Sequence, residues 1–243
     1  MNVASVLEPS TLLARLNRFA VALHLDGKRQ VAHLPNSGRL RELLTPGRPT
    51  LVALPSRAPE TSRRPTVNLP RRTVGDALFM LGPNGWVCVD ARLPGRLLAE
   101  AVEQQRLDVF RGWRVKRLEY PVPQEPGTRL DLLLERGEAL ALVETKSVTL
   151  VERGTALFPD APTVRGRRHV EVLLRAAEAG GAAFVVFVVQ RRDALRFSPH
   201  RQADPAFAEA LERAARGGVQ VLAYRCGVDP PSVGIEEAIP VVL

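Results

Sequence analysis

Asp131, Glu144 and Lys146 are the residues whose types and spacing can do chemistry together. Two converging carboxylates can share a hard cation such as Mg²⁺ or Mn²⁺. Such an ion takes oxygen ligands, often one or two carboxylates plus waters and substrate phosphate. The metal polarises a phosphoryl oxygen and lowers the pKa of bound water. A lysine beside the acids positions water or offsets charge developing on phosphate, and its field favours their ionised forms. The chemistry implied is phosphodiester hydrolysis. The same residues also fit a solvated strand face, where surface pairs contribute little. Against that stands their apolar company. Val143 precedes Glu144, and Leu140 and Leu142 share its face in a strand, which sets the acids at the rim of a core.

The element that must position them is RLDLLLERGEALALVETK, from Arg129 to Lys146. It reads as a β-hairpin: two apolar-rich runs joined at Glu135-Arg136-Gly137-Glu138, with glycine supplying the turn. Symmetry about Arg136 and Gly137 predicts Leu134 opposite Ala139 and Asp131 opposite Leu142. Strand side chains alternate, so Asp131, Glu144 and Lys146 are expected on one face. The two acids are then diagonal neighbours about 7–8 Å apart. An odd-length loop would turn one strand over and separate them.

Asp131 followed by Glu144-Thr145-Lys146 resembles the active-site pattern of the PD-(D/E)XK nuclease superfamily. The segment KSVTLVERGTALFPDAPTVRGRRHVEVL, from Lys146 to Leu173, is similar to the sugar fermentation stimulation protein A family. So are HLPNSGRL (33–40), RFSPHR (196–201) and the final AIPVVL. That family usually has Glu-Val-Lys; Thr145 stands in place of the valine and is expected on the opposite face. The resemblance implies an OB-fold-like N-terminal domain, a nuclease-like second domain and DNA binding. It also implies a helical carboxylate near the metal. Glu100 occupies the matching place, and Glu103, one turn on, competes.

The 243-residue chain has 34 Lys+Arg against 26 Asp+Glu, a net charge of +8. That balance favours a polyanionic partner, most simply nucleic acid; a general solubility charge is the competing reading. Hydrophobic residues make up 45%, enough for a packed core. Cys88 and Cys226 have neither metal-ligand spacing nor a disulfide framework and fit a reducing, cytoplasmic setting. The N-terminus lacks the pattern of a signal peptide. No apolar run approaches the ~20 residues that span a bilayer.

Leu12 to Leu25 reads mainly as strand, Asp26-Gly27 as a hairpin turn and Gln30 to Leu34 as the returning strand. HLPNSGRL is a loop of turn formers, whose amides and Arg39 and Arg41 suit a phosphate. TLVAL, PTVNL and GWVCV are short strands of a small barrel. Its loops carry Arg57, Arg63, Arg64, Arg71 and Arg72, with Phe79 and Trp86 as stacking candidates.

After Asp90 the pattern changes. RLPGRLLAEAVEQQ is an amphipathic helix. Thr163 caps a helix whose first turns hold Arg165, Arg167, Arg168 and His169, suited to phosphate at its N-terminus. Ala183 to Val189 is a strand, RFSPHR a basic turn, and Asp204-Pro205 opens a helix ending at Gly217-Gly218. VQVLAY is a further strand.

The fold expected is mixed α/β, with an OB-fold-like barrel over residues 1–85 and a PD-(D/E)XK nuclease-like domain over 86–243. The expected site is Asp131, Glu144, Lys146 and Glu100, with Asp131 and Glu144 on Mg²⁺ or Mn²⁺. Arg39, Arg63, Arg64, Arg165, Arg168 and His169 are expected on nucleic acid. A non-catalytic DNA-binding regulator using the nuclease fold as a platform is the alternative. A sugar-processing enzyme ranks last, because no phosphate loop or nucleotide fingerprint is present.

Overall fold

The computed structural model describes residues 1–4, 6–55 and 73–243. A first sheet contains β1 (Leu7–Asn17), β2 (Ala20–Leu25), β3 (Lys28–His33), β4 (Pro49–Ala53), β5 (Asp76–Gly82) and β6 (Gly85–Cys88). Their order is β3-β2-β1-β4-β5-β6, and a parallel bridge between His33 and Asp76 brings β3 to β5 and closes a barrel. Asp26 (φ 49°) and Gly27 (φ 70°) form the β2–β3 turn. Two successive positive φ angles are what a tight hairpin requires, and Asp-Gly supplies them cheaply. β4 and β6 fall on two of the three runs read as strands. The third, PTVNL, lies outside the described residues, as do Arg57, Arg63, Arg64, Arg71 and Arg72. β5 falls outside those three runs. Its Phe79 is fully buried, which removes it as a base-stacking residue.

The rest of the chain gives α1 (Pro94–Glu103), β7 (Arg114–Pro121), β8 (Arg129–Arg136), β9 (Ala139–Val148), β10 (Val151–Glu152) and β11 (Thr155–Phe158). These are followed by α2 (Val164–Glu178), β12 (Ala182–Val189), β13 (Arg196–Pro199), α3 (Pro205–Arg216), β14 (Gln220–Asp229) and β15 (Ser232–Ala238). Six strands form a mixed sheet ordered β15-β14-β12-β9-β8-β7, with β12 parallel to both β9 and β14.

The continuous apolar run of β12 matches its place at the centre. Phe184, Val186 and Val188 point into the core beneath α1. Val185, Phe187 and Val189 point into the core beneath α2 and α3. Both faces are covered, so strict polar alternation disappears. Each fully buried side chain of this kind contributes about 1.5–3 kcal/mol.

The helices carry their ends in local chemistry. Thr163 Oγ1 accepts from the Gly166 N–H and caps α2. Asp204 Oδ1 accepts from the Phe207 N–H and caps α3, while its Oδ2 accepts from the Thr163 N–H at 2.7 Å. One buried carboxylate therefore ties the starts of both helices together. RFSPHR was expected to be a turn. Its first four residues are instead β13, parallel to β11. Phe197 decides this: it is fully buried and stacks on Phe187 at 3.9 Å.

Hydrogen bonds tie the barrel to the mixed sheet. Gln190, just beyond β12, donates through Nε2 to the carbonyls of Cys88 and Asp90 and accepts from Ser147 Oγ. Met1 to Val3, counted with the barrel by position, bond instead to Pro231 and Val233 at the β14–β15 turn. Among the described residues no helix is long and apolar enough to cross a membrane.

Candidate active site

The hairpin β8–β9 has a two-residue turn, Gly137-Glu138, with Gly137 at φ 60°. Its register pairs Arg136 with Ala139, Leu133 with Leu142 and Leu132 with Val143. This corrects the expected pairing of Leu134 with Ala139 and Asp131 with Leu142. The shift is two residues, so the parity of the loop is unchanged. The expected turn centre was off because Arg136 still belongs to the strand.

The ladder between these strands stops at Leu132 and Val143. Beyond it β8 loses strict alternation. Leu132 and Leu134 pack beneath α1, whereas Leu130 packs beneath α2. On the neighbouring β7, Glu119 has φ 50°, an unusual conformation for a non-glycine residue, at the same level. Asp131 sits at this break. Its Oδ2 accepts from the Thr145 N–H at 2.8 Å and from the Thr145 hydroxyl. A Cβ added to Gly95 of α1 would lie 3.4 Å from Asp131 Cβ. Asp131 is therefore held on the α1 side. Glu144 is held from α2: its Oε1 accepts from Lys146 Nζ and lies 2.5 Å from His169 Nδ1. The acids line one cleft because the strands separate there, not because they share one regular strand face. Thr145, a departure from the usual valine, supplies a hydroxyl that valine lacks.

The cleft has a volume of about 690 Å³. The 36–38 stretch of the barrel loop and Arg18 form one wall; Arg92, Gly95 and Arg96 at the start of α1 form another. The 157–165 segment and His169 complete it. Asp160 fastens the barrel loop across the domains: its Oδ2 accepts from the Leu40 N–H at 3.1 Å. Gly38 leaves room for it: a Cβ there would lie 2.7 Å from Asp160 Oδ2 and would have to displace that carboxylate. Asn36 is buried and donates to the Val89 carbonyl.

The electrostatics separate the two acids. Burial, then the charge of Glu144, push the Asp131 carboxyl above its usual range, and the Thr145 hydrogen bonds only partly offset this. Burial also works against an ionised Glu144. The Lys146 charge and the His169 hydrogen bond outweigh it and hold Glu144 below the usual range. Glu144 Oε2 is buried, with no hydrogen-bond partner among the described residues. A buried carboxylate oxygen left this way is costly, and a bound cation would satisfy it. The residues present thus fit a hard cation. Among the described residues no group of three or more His, Cys, Asp or Glu side chains is placed to hold one. Water and a ligand oxygen would have to complete the shell.

Asp131→Asn follows from this. A raised folded-state pKa means that ionising Asp131 opposes folding. The opposition is absent below the ordinary carboxylate range and fully present above the raised value. At neutral pH in chelator, Asp131→Asn should raise the melting temperature, at roughly 2–4 °C for each kcal/mol gained. A lower melting temperature in calorimetry would contradict this account.

Several expected residues lie elsewhere. Glu100 is 3.4 Å from the Met1 amino group and 3.9 Å from Arg106, and is not part of the cleft wall. The cleft meets the first turn of α1, and Glu100 lies about 7 Å further along the axis. Glu103 accepts from the Val115 N–H on β7. Arg39 is exposed outside the cleft wall, and its carbonyl accepts from Arg15. Arg168 is exposed and donates to the Pro126 carbonyl, whereas Arg165 lines the cleft. His169, read as a nucleic-acid contact, is only 5% exposed and is committed to Glu144. Arg63 and Arg64 lie outside the described residues. Sequence reasoning missed Arg18, Arg92, Arg96 and Asp160. Arg92 is held by Asp76 and Asp90, which raise its pKa.

Comparison with known proteins agrees with this architecture. Residues 92–232 match the model described as the sugar fermentation stimulation protein RE domain. Residues 13–89 match the SfsA N-terminal OB domain. A sugar fermentation stimulation protein homolog of Moorella thermoacetica is 39% identical, over 93% of this chain and 92% of that protein. A homolog of Methanothermobacter thermautotrophicus is also 39% identical, over 94% and 91%. The structure of Pyrococcus furiosus SfsA in complex with Ca²⁺ is 29% identical and superposes with a TM-score of 0.87. It covers 100% of this chain and 98% of that one. On its mixed α/β architecture, its N-terminal OB domain and these matches, the chain belongs to the sugar fermentation stimulation protein family.

Proposed function

We propose that the cleft is the active site of a divalent-metal-dependent nuclease, built on a PD-(D/E)XK nuclease-like fold and acting on DNA. The observation that carries this reading is the buried, unpartnered Glu144 Oε2 beside Asp131, in a cleft walled by Arg18, Arg96 and Arg165. Asp131 and Glu144 would hold Mg²⁺ or Mn²⁺. The Ca²⁺ complex of the Pyrococcus furiosus relative supports an oxygen-ligand cation in this family. Bound there, the cation supplies Lewis acidity and a more acidic water.

The chain's own groups do the rest. Thr145 fixes the Asp131 carboxylate through two donors, and His169 fixes Glu144 from the other side. Lys146, 12% exposed, pairs with Glu144 and offsets part of the acids' charge before the cation arrives, and it lines the cleft where charge on phosphate would develop. Arg165 and Arg96 hold the flanking backbone, and the +8 charge draws a polyanion in.

A second reading is a non-catalytic DNA-binding platform. The Lys146–Glu144–His169 network favours it, because it largely neutralises Glu144 without a metal.

One experiment separates them. Single-stranded and duplex DNA, with RNA alongside, are incubated with wild type at low salt across Mg²⁺ and Mn²⁺, and affinity is measured independently over a salt series. Cleavage with either metal is expected, together with affinity that falls steeply with salt. Salt-sensitive binding without cleavage under any condition would leave the platform reading.

A further inference from the structure

We propose that Phe19 is a base-stacking platform at the mouth of the cleft, and that the cleft takes a single nucleic-acid strand. This rests on the nucleic-acid reading of the site, not on cleavage.

Phe19 lies in the short turn between β1 and β2 and is 48% exposed. Its backbone is pinned on both sides. The Phe19 N–H donates to Asn17 Oδ1 at 2.9 Å, and its carbonyl accepts from the Leu34 N–H at 2.8 Å. The Arg18 guanidinium lies over the ring, 5.6 Å from its centroid. Arg18 is in turn part of the cleft wall that also contains Asp131 and Glu144. The Arg18 carbonyl accepts from Arg15, which also donates to the Arg39 carbonyl. An aromatic ring on a pinned backbone and a guanidinium are therefore held together beside the cleft. Leu118, 50% exposed, adds an apolar contact on the β7 wall of the cleft.

An isolated exposed phenylalanine needs no explanation. This one has a cation fixed above it and a basic cleft beside it. Strand-binding proteins combine those parts: a positive groove that tracks backbone and aromatic rings on which bases stack. A base inside a duplex offers no free face to the ring. The ring therefore selects single strands, or frayed ends, whatever their sequence.

The test is binding in chelator, so cleavage plays no part. Affinities for a labelled oligothymidylate and for a hairpin duplex of matched charge are compared at one salt concentration. Phe19→Ala should weaken oligothymidylate binding roughly 5- to 140-fold, the ~1–3 kcal/mol per stacked base at 1.4 kcal/mol per decade, and leave duplex affinity unchanged. Phe19→Trp should restore strand affinity, and its added indole emission should be quenched by the strand. Equal losses on strand and duplex, no loss on either, or an unquenched Phe19→Trp would overturn the platform. If wild type binds neither probe, the nucleic-acid reading itself fails and takes this proposal with it. If wild type binds both and cuts nothing with any metal, only the catalytic reading falls.

Discussion

Lys146→Ala should lower the unfolding free energy of the metal-free protein by about 3–5 kcal/mol, the usual consequence of stranding one member of a buried ion pair. The side chains of Lys146 and Glu144 are 12% and 5% exposed, so losing the ammonium leaves a largely buried carboxylate short of its closest cation. Glu144 would keep only His169, with its second oxygen still unpartnered. The pH dependence has a definite sign. Glu144 is held below the usual carboxylate range, so its contribution is fully present above the ordinary carboxylate pKa. It is lost as pH falls through the depressed folded value. The gap between wild type and Lys146→Ala should therefore narrow in acid. Added Mg²⁺ or Mn²⁺ should restore part of the stability at neutral pH by taking over the charge. Urea unfolding at neutral and acid pH measures all of this. A loss below ~1 kcal/mol at neutral pH would mean that the network is not the buried ion pair described.

Glu144→Gln should preserve the fold and remove the site. The amide keeps the shape of the carboxylate and one oxygen for Lys146 or His169. It contributes no charge and puts an NH₂ where an oxygen faced the cleft. Cation uptake, followed by calorimetry without nucleic acid, should be lost. Cleavage should fall by at least about 10²–10³-fold, the range seen when one preorganised electrostatic group is removed. Affinity for nucleic acid in chelator should not fall, because the variant removes one negative charge from the cleft proposed to take an anion. Unchanged metal uptake in Glu144→Gln would exclude this carboxylate as a ligand. Loss of uptake with retained cleavage would detach the metal from the reaction.

The sequence by itself determined the features that depend on neighbours along the chain. Asp26-Gly27 and Gly137 set the hairpins, because positive φ angles are a local steric matter. Thr163, Asp204 and Pro205 fixed where helices begin, since capping acts over three residues. The uninterrupted apolar run of β12 announced a strand covered on both faces. The spacing of Asp131 from Glu144 and Lys146, with the family resemblance, indicated which side chains would meet.

Only the tertiary structure decided how they meet. The real register is shifted by two residues, and a shift of that size leaves the hydrophobic pattern unchanged, so periodicity is blind to it. The break in β8 at Asp131 lies where β8 meets Gly95 of α1 and the positive-φ Glu119 of β7. Glu100 and His169 both sit in surroundings other than those expected. The helix carboxylate turned to the chain's own N-terminus, and a residue read as a surface cation became a buried partner of Glu144. The cleft itself is closed by Asp160 reaching a backbone amide 120 residues away. Local pattern reports which face of an element is apolar. It carries no record of which distant residue will fill the space opposite, and that pairing is what turns two acids and a lysine into a site.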